Sequence, residues 1–442
     1  MTSGTQQILA LNAFRPDADA AALGGTLEGL ISRRTAAFGP GSVVFYRQPL
    51  HVVSARGATI QTVDGERFLD LYNNVPSVGH CHPKVVEAVQ KQVALLNVHT
   101  RYLFDSLDDY AERLCATLPP SLGHLALTCT GSEANDLALR IAGIATGGKG
   151  VVVTSAAYHG NTSAVTEVSP SAYKVGAPPD HVQTVAPPDP TYYGPDVAAG
   201  FTAAVEGAIA ALEARGHKLS CLLVDSIFSS DGVFADPVGL LAGAADAVHR
   251  AQGLVIADEV QPGFGRTGTR FWGFARHGIT PDIVTMGKPM ANGMAMGGVA
   301  VRPELLARFS EKFGYFNTFA GNPVAVAAAR AVLEVIAEEG LMANADHVGR
   351  HLKGRLEDLA TRAPALGAVR GAGLYLGVDV VAPDTGLPDP EGASTLINAL
   401  RHKHILIGAA GRLGHVLKLR PPLCLTVEEA DRFVDVLEGL LP

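Results

Sequence analysis

The sequence predicts an α/β protein: a large unit whose mostly parallel sheet is covered by helices on both faces, and a smaller α+β unit drawn from both chain ends. Three observations carry this expectation. Between residues 106 and 330, helical runs alternate with short apolar runs rich in β-branched residues, namely Leu125–Leu127, Val151–Val153, Cys221–Val224, Leu254–Ile256, Ile283–Val284 and Gly298–Val301. The residues that follow most of these runs are the chemically able ones, Gly131-Ser132, Tyr158-His159, Asp225, Asp258 and Lys288. Parallel sheets gather their ligands beyond the carboxyl ends of the strands, so these residues are expected on one edge. Finally, 442 residues, 47% hydrophobic and 18% charged, suffice for two cores and argue against disorder.

In chain order, residues 1–40 carry Ala/Leu patches and a helical hint at Leu27–Arg34, without chemistry. Strand patterns follow at Val52–Gly57, Thr59–Val63 and Phe68–Leu71, separated by turn residues that include Asp64-Gly65. A polar loop, Tyr72–Pro83, leads into a helix to about Leu95. Its His80-Cys81-His82 run is a poor zinc site, because adjacent ligands do not easily converge on one ion and no second cluster follows; no metal is expected. After Val324 an amphipathic stretch runs to Glu338. Strand-like Leu374–Val380 and Val416–Leu419 and a final helix, Val427–Leu441, make the smaller unit, to which the strands at 43–71 are candidates to pair. The expected division is 1–78, contributing to the small domain, 79–328 for the large domain and 329–442 for the rest of the small one.

The net charge of −8 and the lack of a dense Lys/Arg run exclude a nucleic-acid surface. The five cysteines are scattered and lack CxxC spacing, as in a reducing compartment. Met1–Gln7 does not open a signal peptide, and no uninterrupted apolar run reaches bilayer-spanning length. A cytoplasmic protein without a membrane partner is expected.

Lys288 lies in the loop Thr285–Gly293, and Asp258 closes the apolar run that begins at Leu254. Alone, they would read as a solvated lysine and a helix cap. Together they fit a pyridoxal phosphate (PLP) site, where a lysine forms a Schiff base and an acid pairs with a protonated ring nitrogen. Gly131 and Ser132 open a helix after a strand, an arrangement suited to the cofactor's phosphate; an ordinary N-cap by Ser132 is the alternative. Tyr158, beside His159, is placed to stack on a flat ring, with Val260 for the opposite face, or else is a partly buried tyrosine at a strand end. Two glycine motifs are decoys. Gly143–Lys149 approaches a P-loop, but Gly150 replaces the required Ser/Thr, and Gly371–Gly377 leads into a strand with the wrong spacing for a dinucleotide. The segment Tyr315–Pro323 is uninterpretable from its residues alone.

The segments Gly131–Asn135, Tyr158–Gly160, Asp258–Gln261 with Gly263–Gly268, Gly287-Lys288 and Asn317–Phe319 resemble class III aminotransferases, of the fold-type I PLP enzymes, in the expected order over residues 43–440. The resemblance implies a seven-stranded type of sheet in the large domain, Lys288 as the cofactor lysine and Asp258 as partner of the ring nitrogen. Gly131 and Ser132 would hold the phosphate, Tyr158 and Val260 would sandwich the ring, and Gln261 would bond its hydroxyl; His159 and Asp225 complete the expected set. Thr318 would reach the phosphate in the neighbouring subunit, implying a homodimer with shared active sites.

Two departures bear on substrate. Members that use oxoglutarate carry Glu-Pro-x-Gln-Gly-Glu where this chain has Asp225–Ser230, and a carboxylate-binding arginine where it has Lys418. An arginine grips a carboxylate bidentately and a lysine does not, so this swap is not conservative. Tyr72–Pro83, Thr100–Leu103, Asp109–Arg113 and Lys418–Cys424 are similar to the phospho-lyase branch of the family. That implies a small phosphorylated amine such as O-phosphoethanolamine, losing its phosphate to give aldehyde and ammonia. Arg101, Lys418, Arg420 and Asn74 are the candidates to surround the leaving phosphate, against a surface or structural role for each. The alternative is a transaminase with an acceptor such as pyruvate. A PLP-sensing regulator would need a DNA-binding or partner domain, which the first 40 residues do not supply.

Overall fold

The computed structural model describes residues 12–15, 19 and 23–441; the Met1–Gln7 stretch read for targeting lies outside them. The large sheet has seven strands: β4 (His124–Thr128), β5 (Gly150–Thr154), β6 (Val182–Val185), β7 (Leu219–Asp225), β8 (Leu254–Asp258), β9 (Ile283–Met286) and β10 (Gly297–Val301), in the order β4-β10-β9-β8-β7-β5-β6. Only β10 runs against its neighbours β9 and β4. Strands β5, β9 and β10 are buried along their whole length, which is why they read as unbroken apolar runs rather than alternating ones. β6 escaped the sequence reading: it is a four-residue edge strand whose Gln183 and Thr184 interrupt the apolar pattern.

Helices cover both faces. Gly131–Thr146 buries Leu137, Ala138 and Ile141 on one side. On the other lies Val197–Ala214, long and apolar enough by composition to cross a membrane. It spends its apolar face on the core instead, burying Phe201, Val205 and Leu212 together with Leu222 and Val224 of β7. The proline-rich stretch at 187–195 contains one helical turn at Pro190–Tyr193.

The early strands β1 (Val52–Arg56), β2 (Thr59–Thr62) and β3 (Arg67–Asp70) form an antiparallel set that β13 (Ile405–Leu406) joins in parallel beside β3. A second antiparallel sheet contains β11 (Leu366–Ala372), β12 (Tyr375–Val380), β15 (Val416–Leu419) and β14 (Gly408–Ala410). Helices Leu341–Ala360 and Pro390–His402, unassigned from sequence, pack here with Val427–Glu438. One apolar cluster runs from Tyr46 and Phe68 through Trp272 and Val332 to Phe433, so both ends of the chain share a core with the large sheet.

Candidate active site

Register builds the site. Asp225, Asp258 and Thr285 are level with one another across β7, β8 and β9, and Lys288 follows three residues after Thr285. Lys288 has φ +20°, which a lysine keeps only where its surroundings hold it. Those surroundings are tight. A Cβ on Gly287 would come within 3.0 Å of the Gly131 nitrogen, and one on Gly131 within 2.8 Å of Val260 Cγ2. The lysine loop, the helix start and Val260 interlock because two of the three positions lack a side chain.

Around them lies a cavity of about 260 Å³ whose walls include Gly131, Ser132, Tyr158, His159, Asp225, Asp258, Val260, Gln261 and Lys288. All but Val260 and Gln261 were expected on one sheet edge, and those two against the cofactor ring. The N-cap alternative for Ser132 is displaced: Thr130 caps the helix, its side chain accepting from the Glu133 amide at 3.1 Å. Ser132 Oγ is left near the cavity, accepting from the Asn161 amide at 3.2 Å. First-turn amides have no preceding turn to satisfy them, and here they face the space where an anion would sit.

Asp258 is a buried carboxylate that accepts three hydrogen bonds. Its Oδ2 takes hydrogen bonds from Asn135 Nδ2 at 2.9 Å and from His159 Nδ1 at 2.7 Å, and its Oδ1 takes one from the Val260 amide at 3.1 Å. Asp225 accepts from the amides of Ile227 and Ser229 and from the Ser229 hydroxyl; burial pushes its carboxyl up, and the Asp258 charge adds to this. Lys288 is lowered to about 8, first by burial and then by Arg420, with Asp258 and Asp225 opposing. A buried amine of that basicity fits a carbonyl-bearing cofactor, and the acceptor-only acid beneath it fits a protonated ring nitrogen. With the amides and hydroxyl of Gly131-Ser132 for a phosphate, the donor set matches PLP at each of its polar ends.

Gln261 Oε1 accepts from Asn74 Nδ2 at 2.5 Å and from Arg420 at 3.1 Å, which places both substrate candidates beside the cavity wall. Arg420 also lies over the Tyr72 ring at 4.4 Å. Lys418 is buried and close enough to Arg420 to feel its charge, and the residues in register with it, Gly377 and Gly408, carry no side chain. Burial, then Arg420 and Lys288, lower it to about 7 against the pull of Asp225 and Asp231. Arg101 and Thr318 are not brought to the cavity: Arg101 stacks on Phe316 at 3.8 Å, and Thr318 sits in the neighbouring surface loop.

Three residues escaped assignment. Asn135 is buried inside a helix, where a residue of low helix propensity among Ala134, Leu137 and Ala138 was a usable signal. Thr285 gave none, since a threonine in a strand is ordinary. Arg266, wholly buried, also went unremarked; it donates to the carbonyls of Leu374 and Pro421, tying the Gly263–Gly268 loop to the segment carrying Arg420.

The family model for class III aminotransferases matches residues 44–441. The chain is 36% identical to ethanolamine-phosphate phospho-lyase homolog 1 of Caenorhabditis elegans, covering 94% of this chain and 93% of that one. It is 37% identical to an alanine–glyoxylate aminotransferase 2-like protein of Drosophila melanogaster, over 91% and 85% of the two chains. Among solved structures it is similar to a phospholyase from Arthrobacter in complex with phosphoethanolamine: TM-score 0.90, 43% identity, 93% of this chain and all of that one.

Proposed function

The chain belongs to the class III aminotransferase family of PLP-dependent enzymes, and from that premise we propose that it is a phospho-lyase. Its substrate is a small phosphorylated primary amine such as O-phosphoethanolamine, which with water yields an aldehyde, ammonia and phosphate. The observation that carries this reading is the pair Lys418 and Arg420, with Asn74 held through Gln261, beside the cavity of Lys288 and Asp258. The likeness to the Arthrobacter phospholyase, solved with phosphoethanolamine, supports it.

Gly131 and Ser132 would hold the cofactor phosphate, Asp258 its ring nitrogen, Tyr158 and Val260 its two faces, and Gln261 its ring hydroxyl. When bound, PLP supplies the electron sink that lets a proton leave the carbon beside the substrate amine. The Lys288 amine is the group placed to take that proton, and its lowered basicity leaves a useful neutral fraction near pH 8. Arg420 then meets the departing phosphate with positive charge in a buried setting, where such charge counts most, and the Lys418 amine adds hydrogen-bond donors beside it.

The test is phosphate release from O-phosphoethanolamine by holoenzyme with no oxo acid present, beside a Lys288→Ala control. Sustained release with an equal amount of aldehyde supports the lyase. Amine consumption that requires pyruvate or glyoxylate, without phosphate release, overturns it in favour of the transaminase, the reading favoured by the aminotransferase 2-like relative.

We further propose a homodimer and a cytoplasmic location. Leu95, Tyr102, Leu103 (97% exposed) and Phe319, which adjoins Thr318 in the chain, are large apolar side chains left on the surface. That surface fits a second copy, which would bring its own Thr318 to the phosphate end of this cavity. The five free cysteines suit a reducing compartment.

A further inference from the structure

Asn135 uses the whole hydrogen-bonding capacity of its amide nitrogen on the site. Nδ2 donates to Asp258 Oδ2 at 2.9 Å and to the His159 carbonyl at 2.7 Å, while Oδ1 accepts from Thr285 Oγ1 at 2.6 Å. Both residues are fully buried. The amide has only one workable orientation. Reversed, its oxygen would face a carboxylate and a carbonyl, two acceptors, with no water to relieve them. Thr285 enforces the choice by donating to the oxygen end, and it is level with Asp258 because β8 and β9 pair in that register.

The consequence is felt at Asp258. Its Oδ2 is saturated by Asn135 and His159, while Oδ1, taking only the Val260 amide, keeps a lone pair. His159 is fixed as well: its Nδ1 carries the shared proton, and its Nε2 is buried without a partner among the described residues. The other charged groups facing Asp258 are Asp225 on β7 and Lys288 after β9.

We propose that Thr285 and Asn135 are positioning residues: together they hold Asp258 as a fixed, acceptor-only partner for the cofactor's ring nitrogen. They thereby set how tightly PLP is retained and where its visible band titrates. The inference applies whether the enzyme eliminates phosphate or transfers an amine, so its failure is separable from that of the lyase reading.

The test titrates apoenzyme with PLP and then follows the visible band against pH, for Thr285→Val, Thr285→Ser and Asn135→Leu. Thr285→Val keeps the side-chain shape and removes the donor. Asn135→Leu should weaken PLP about tenfold, the scale of one hydrogen bond to a charged group, and Thr285→Val, which removes the neutral bond that holds Asn135, about fivefold. Both should also move the titration midpoint upward, because a ring-nitrogen proton held less firmly removes a positive charge that opposes protonation elsewhere on the cofactor. Thr285→Ser should restore both values. Wild-type affinity and midpoint in Thr285→Val would overturn the proposal. So would variants that lose apoenzyme melting temperature while their midpoint stays in place, since that is the mark of a helix-to-sheet tie and nothing more.

Discussion

Lys418→Met should make the apoenzyme more stable and the enzyme inactive as a lyase. Lys418 is 5% exposed, and its amine is lowered from 10.5 to about 7 chiefly by burial. Between those two values the unfolded chain binds a proton that the folded chain does not, so protonation favours unfolding. The sign follows: the folded state carries no penalty above pH 10.5, loses stability as pH falls, and reaches a plateau below about 7. The full shift corresponds to about 5 kcal/mol, and about 3 kcal/mol of it is present at pH 8. Methionine fills similar volume without the charge. For 442 residues, 1 kcal/mol moves the midpoint by about 1 °C, so Lys418→Met should melt up to about 5 °C higher at pH 6–7. The assay is thermal unfolding of both apoenzymes from pH 6 to 10, with and without inorganic phosphate. The gain should shrink as pH rises, and phosphate should stabilise the wild type more than the variant. A variant that melts no higher at pH 7, or a gain independent of pH, would refute the reasoning.

Asp231, buried and raised to about 6, accepts from Thr154 Oγ1 and the Ala156 amide. Its penalty is absent below pH 4 and complete above about 6, so Asp231→Asn should stabilise the apoenzyme at pH 7, by about 3 kcal/mol at most, and not at pH 4, as denaturant titrations at the two pH values will read. Arg266→Leu leaves the Leu374 and Pro421 carbonyls unpaired in the core. It should cost about 1–3 kcal/mol for each and raise KM for the phosphorylated amine, measured by chemical unfolding and steady-state kinetics. Lys288→Ala should lower turnover by about 100- to 10,000-fold, measured as phosphate release. If sites are shared between subunits, mixing inactive Lys288→Ala with an inactive Thr318 variant should restore about a quarter of wild-type activity through hybrid dimers; no recovery after subunit exchange would exclude sharing.

The residues at the strand ends were legible because a parallel sheet converts linear order into position. A buried strand announces itself as an apolar run, and whatever follows it must emerge at the same edge, as Tyr158, Asp225, Asp258 and Lys288 do. The interlock of Gly131, Val260 and Gly287 left a trace too, since close backbone approach demands glycine. Other features had no linear signature. Thr285 and Asn135 are 150 residues apart and meet only through strand register and helix packing. Lys418 was a substrate candidate from sequence, but its burial was not legible there, since the residues in register with it, Gly377 and Gly408, come from other strands. Arg101 and Thr318 carried the right chemistry in the motif yet do not line the cavity, because order along the chain does not fix where a surface loop ends up. The sequence by itself determined most of the sheet and its working edge, which follow from local periodicity, while the cofactor set came from the motifs and the family resemblance they carry. Only tertiary structure decided the protonation and orientation of the groups, because those depend on burial and on neighbours that are distant in the chain.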